Sequence, residues 1–232
     1  MAKVRTGPVT AITAQLVMLA LLAGTVGLGV AGWVTGLVFA LVANATLDRA
    51  LVRRGDGGLG PADWVTVTRM VLVGGATALI ADSYDRPMAR GTLVGLLVVA
   101  LLLDGVDGWV ARRTGTASPL GARFDMEVDA FLILVLSVYV SLSLGPWVLA
   151  IGLMRYAFVA AAHVQPWLRG ALPHSMARKT VAALQGIVLV VAGAGVLPYA
   201  WEFGAVLTAL AALVWSFGRD IRWLWRTKAA RA

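Results

Sequence analysis

From Val9 to Asn44 the chain runs without a single charged side chain. Wound as one helix, that stretch would measure roughly 54 Å, far more than the hydrocarbon core of a bilayer at about 30 Å. It therefore has to break. Gly24, Gly27, Gly29 and Gly32 supply the place, so the run is expected to form two short membrane spans. The same glycines could equally line a close-packed face between helices. Further apolar runs follow along the chain. With 59% of residues apolar and 14% charged, the composition is that of a polytopic membrane protein.

The chain holds no cysteine, which excludes disulfides and thiolate chemistry. Its net charge of +8 would suggest nucleic acid in a soluble protein. Here it reads as cytoplasmic flanks facing anionic headgroups, and nucleic acid is not an expected partner. No cleavable leader is expected, because the first apolar run follows only Lys3 and Arg5 and continues into a second span.

Residues 1–47 form the expected N-terminal transmembrane hairpin. A basic, glycine-rich linker and interfacial segment follow at 48–63, where Pro61, Asp63 and Trp64 read as a helix start at headgroup depth. Residues 64–218 hold six further spans: about Val65–Ala81, Thr92–Arg112, Leu120–Leu144, Pro146–His163, Thr180–Val196 and Trp201–Phe217. The tail, 219–232, alternates Arg with Trp, as an interfacial amphipathic helix or a charged stop-transfer flank would. Eight spans with both termini in the cytoplasm put all but three of the 20 Lys and Arg residues on the inner side. Arg86 and Arg90 fall outside, and Arg155 lies within a span.

The chemistry concentrates in Asp104–Asp129, DGVDGWVARRTGTASPLGARFDMEVD. Asp104 and Asp107 are three apart, Asp125 and Asp129 four apart, so each pair shares a helix face. Thr114–Pro119 reads as a turn between two arms. Carboxylates inside spans are costly, and four without matching bases are not explained as ion pairs. Hard oxygen ligands gathered this way favour Mg²⁺, Mn²⁺ or Ca²⁺. Glu127 falls off the shared face, and Asp82 and Asp85 fall in an outer loop and read as solvated. His163 and His174 mark a span end and a loop.

This stretch resembles the signature of the CDP-alcohol phosphotransferases, D-x2-D-G-x2-A-R-x8-G-x3-D-x3-D. Asp104, Asp107, Gly108, Ala111, Arg112, Gly121, Asp125 and Asp129 fill every fixed position. The family's N-x2-T-x2-R element is met by Asp63, Thr66 and Arg69, with Asp in place of Asn, so Asp63 is not assigned to nucleotide. The resemblance implies an all-α, six-helix catalytic bundle, to which the N-terminal hairpin is an addition, and a homodimer. It implies transfer of a substituted phosphate from a CDP-alcohol to an acceptor hydroxyl with release of CMP, at two divalent ions, Mg²⁺ or Mn²⁺. Asp104, Asp107 and Asp125 are then the principal metal ligands. Asp129 lies near the ions and is, by the resemblance, the general base.

Gly108 and Ala111 lack bulk, which suits either a pyrimidine nucleotide or helix packing. Arg112 suits a phosphate oxygen or the interface; Thr66 and Gly121 are further nucleotide candidates. The expected donor is CDP-diacylglycerol, held among membrane lipids. For the acceptor, Arg155 is expected to face the polar cavity or to pair with an aspartate. Arg123, Arg178 and Lys179 lie at the same cytoplasmic level, as a phosphate pocket or as ordinary inner-side charge. A basic pocket there suits a phosphate-bearing acceptor, glycerol 3-phosphate first and inositol phosphate second. Two rival readings are a divalent-cation transporter and a non-catalytic membrane scaffold. The first gives no reason for Gly108, Ala111, Arg112 and Gly121; the second would have lost a carboxylate, and none is missing.

Overall fold

The computed structural model describes residues 6–54, 59–114, 119–173 and 175–229. Among them are eight α-helices and no strand: α1 Thr6–Thr25, α2 Val30–Arg54, α3 Pro61–Asp82, α4 Arg90–Thr114, α5 Pro119–Leu144, α6 Leu149–Val164, α7 Met176–Ala194 and α8 Tyr199–Ala229. Seven helices of the described residues are long and apolar enough to cross a membrane. The remaining expected span, Thr92–Arg112, falls in α4, a helix of 25 residues that carries Asp104 and Asp107. The protein is an all-α polytopic membrane protein. The chain divides into two units, Met1–Val135 and Leu136–Ala232, with the boundary inside α5.

In the first unit α3 packs against α1, α2 and α4. Two thirds (67%) of its apolar window is buried, against 28% for α1 and 33% for α2. A helix enclosed on most sides has to offer small residues to its neighbours, since apolar side chains gain little from leaving lipid. Gly74, Gly75, Ala76 and Ala78 do so. A Cβ on Gly74 would lie 2.5 Å from the Gln15 side chain and 2.6 Å from the Phe39 ring. Gly32 and Gly36 of α2 come equally close to neighbours that include Ala78 of α3. The glycines of the first apolar run therefore divide their tasks. Gly27, at φ +76°, lies in the break between α1 and α2; Gly32 and Gly36 form a packing face. An apolar cluster of Ala11, Ala43, Leu47, Leu51, Val67, Met70 and Val128 joins α1, α2, α3 and α5.

Two expectations change here. Asp82 is not solvated: it is 7% exposed. Its carboxylate accepts hydrogen bonds from the backbone N–H of Gly29 (3.0 and 3.1 Å) and of Gly32 (3.4 Å) at the start of α2. Those amides have no partner within the helix and carry the positive end of its dipole, so a carboxylate is stabilised there. Asp85 is exposed, as expected. The basic linker is also shorter than its composition suggests, because α2 continues to Arg54. Asp63 acts at the head of α3 by reaching back to the Gly60 N–H at 2.8 Å.

In the second unit the end of α5 is followed by a 3₁₀ turn at Pro146–Val148, then α6, a second 3₁₀ turn at Pro166–Arg169, α7 and α8. Ser175 caps α7 by accepting from the Arg178 N–H, and Gly195, in the left-handed region at φ 64°, closes its other end. Gln185 of α7 donates to the Ala209 carbonyl of α8 at 2.8 Å. The basic tail continues α8, which runs without a break through Ala229. Leu224 is buried against Gly170, Trp225 packs edge-on against Trp167, and Lys228 lies over both rings.

Candidate functional site

Three helices of the first unit bring their charges to one point. Asp104 comes from α4, Asp125 and Asp129 from successive turns of α5, and Arg69 from the buried face of α3. One oxygen from each aspartate lies within 4.8 Å of the other two. Arg69 binds all three. One terminal guanidinium nitrogen donates to Asp125, and the second terminal nitrogen lies against Asp129 and against Asp104, the last at 3.0 Å.

Burial differs across the cluster. The Arg69 side chain is 0% exposed, whereas those of Asp104, Asp125 and Asp129 are 41%, 30% and 39% exposed. A buried guanidinium is retained only when its donors are matched by acceptors of opposite charge. The carboxylates supply them and remain half accessible. Among the described side chains, three carboxylates meet one guanidinium. With their oxygens converging, they have the donor chemistry of a hard divalent cation such as Mg²⁺ or Mn²⁺.

Arg69 is the residue that the reading of Asp104–Asp129 as a stretch without matching bases passes over. The base exists, but thirty-five positions upstream of Asp104. The signal available was its spacing from Thr66: three residues apart on α3, the two share a face. Thr66 is buried, and its hydroxyl donates to the Ala62 carbonyl at 3.3 Å.

The helical backbone of α4 and α5 runs through Asp107, Gly108, Ala111, Arg112, Gly121 and Arg123; their side chains lie outside the described residues, as does His174. Glu127 is exposed. Arg155, half-buried in α6, belongs to the second unit. So do Arg178 and Lys179. Arg178 donates to Asp220 at 3.2 Å and to the Pro173 carbonyl at 2.5 Å, which ties the start of α7 to α8. Lys179 is exposed. His163 sits at the end of α6, its Nδ1 2.8 Å from the Val159 carbonyl.

The family model of the CDP-alcohol phosphatidyltransferases matches residues 59–217, more than half of the chain. The chain belongs to this family. Among curated relatives, an archaetidylinositol phosphate synthase of Aeropyrum pernix is 50% identical over 54 residues, which is 23% of this chain and 26% of that protein. An ethanolaminephosphotransferase 1 of Homo sapiens is 36% identical over 81 residues, 32% of this chain and 20% of that protein. The chain thus aligns with about a quarter or less of the length of the curated relatives it matches. No solved structure matches it. Within this member of the family, the matched region begins just before α3 and ends within α8. It leaves α1 and α2 outside and holds every member of the carboxylate–arginine cluster.

Proposed function

We propose that the protein moves a phosphatidyl group from CDP-diacylglycerol to the hydroxyl of a small, phosphate-bearing alcohol and releases CMP. The observation that carries this reading is the convergence of Asp104, Asp125 and Asp129 within 4.8 Å, in a chain of this family. In this proposal these residues, with Asp107, hold two Mg²⁺ or Mn²⁺ ions. Bound there, such ions neutralise the diphosphate and stabilise the leaving phosphate.

The side chains do the rest. Asp129 accepts the proton of the acceptor hydroxyl, whose oxygen forms a bond to the lipid-side phosphorus as the bond from that phosphorus to CMP breaks. Thr66, Gly108, Ala111, Arg112 and Gly121 receive the nucleotide. Arg123, Arg155, Arg178 and Lys179 are proposed for the acceptor phosphate; of these Arg178 already has Asp220 as a partner. The site faces the cytoplasm, where cytidine nucleotides are, and the working form is a homodimer. Glycerol 3-phosphate is the first acceptor. Inositol phosphate is the second, supported by the name of the Aeropyrum pernix relative.

The test is CMP release by purified protein given CDP-diacylglycerol, Mg²⁺ or Mn²⁺, and single acceptors, with lipid products identified by mass. One acceptor is expected to drive release, and Asp129→Asn to lower it by roughly 10²- to 10⁴-fold with the fold retained. Undiminished turnover in Asp129→Asn rules out the proposed base. Metal passage into vesicles without any need for cytidine nucleotide would instead favour a transporter.

A further inference from the structure

The oxygens best placed to hold a divalent cation are the ones Arg69 already binds. Its guanidinium reaches Asp104, Asp125 and Asp129 together, and these are the three aspartates whose oxygens lie within 4.8 Å of one another. A second cation entering this cluster meets the first at close range, in a site where the arginine is fully buried and charges interact more strongly than in water. Arg69 has nowhere apolar to retreat at little cost: Met70 and Val67 flank it in the packed cluster with α1, α2 and α5.

We infer that Arg69 is a built-in counter-cation of the carboxylate cluster, which holds α3, α4 and α5 together before an ion arrives and opposes the ion's binding. This inference rests on the metal-dependent reading above and adds its regulation: the arginine sets how tightly the site takes its ions. Two effects of opposite sign follow from one substitution. Removing the positive charge leaves three carboxylates to repel one another, so the ion-free protein loses stability. The same removal takes away a cation that competes for these oxygens and repels an incoming one, so the first divalent ion binds more tightly.

A purely structural arginine predicts something else. If Arg69 only gathered the carboxylates into position, its loss would loosen the site and weaken ion binding. The sign of the change in affinity therefore separates the two roles.

The experiment is Mn²⁺ binding followed by electron paramagnetic resonance, with thermal melts in EDTA and in Mn²⁺, on purified wild type, Arg69→Gln and Arg69→Lys. Arg69→Gln is expected to bind Mn²⁺ at least about fivefold more tightly than wild type, to melt lower in EDTA, and to gain more from Mn²⁺. Arg69→Lys keeps the charge but reaches fewer oxygens, and its affinity is expected to fall between the two. Should Arg69→Gln fold only with Mn²⁺ present, Arg69→Lys still decides: affinity below wild type overturns the inference. Equal or weaker binding by Arg69→Gln overturns it while leaving the metal site intact. Absence of Mn²⁺ binding in the wild type itself overturns the inference and the metal-dependent reading together.

Discussion

Asp82 and Asp129 lie on adjoining helices of one unit, and both are aspartates in an apolar chain, yet their tasks are unlike. Asp129 joins a half-open cluster of carboxylates around Arg69; Asp82 is closed off and binds the amides of Gly29 and Gly32. Asp82→Ala removes an N-terminal helix partner, a loss that costs about 0.5–2 kcal/mol. The expected outcome is a lower melting temperature, with CMP release per folded molecule unchanged within about twofold, since residue 82 ends α3 far along the helix from Arg69. An activity loss much larger than the folded fraction accounts for would place Asp82 in the site. The role of Asp82 was not legible locally; Arg69 was marked by its place beside Thr66, but its three partners were not. The Asp104–Asp129 spacing announces itself because its members are near in sequence and on shared helix faces. A carboxylate that finds its partner fifty residues upstream, or an arginine that finds three downstream, leaves no such periodic trace.

At the level of the helices, the same Gly→Ala change has opposite expected signs at two positions. In an open helical position it gains about 0.5–1 kcal/mol from reduced backbone freedom. A methyl group on Gly95 of α4 would meet nothing within 4 Å, so Gly95→Ala is expected to raise the melting temperature slightly. At Gly74 the new methyl would meet Phe39 at 2.6 Å. That ring is held against Phe131 with centroids 5.2 Å apart, so overpacking at about 1–3 kcal/mol outweighs the intrinsic gain. Gly74→Ala is expected to lower the melting temperature. Equal shifts at both sites would mean that α3 does not pack this closely. The helices themselves were largely readable, because uncharged apolar runs punctuated by Gly and Pro leave few other solutions in a bilayer. Their ends were less so: α2 and α8 run on into basic sequence that composition alone assigns to a linker and a tail, since Arg and Trp continue a helix as readily as they mark an interface.

For the whole molecule, the expected orientation rests on charge: basic residues crowd one set of helix ends, and anionic cytoplasmic headgroups favour that set inside. The consequence is testable because the chain holds no cysteine of its own, so an introduced one is an unambiguous reporter. Asp85 and Arg222 are both exposed, and five of the proposed spans, α4 to α8, separate them. An odd number of crossings puts them on opposite faces. A membrane-impermeant maleimide added to intact cells is expected to label Asp85→Cys, and to label Arg222→Cys only after lysis. Labelling of both in intact cells would mean that one of the five does not cross, with α4 the first to re-examine because Asp104 and Asp107 interrupt it. The reverse pattern would turn the carboxylate cluster away from the cytoplasmic pool of CDP-linked donors, and no choice of acceptor could then rescue the proposed reaction.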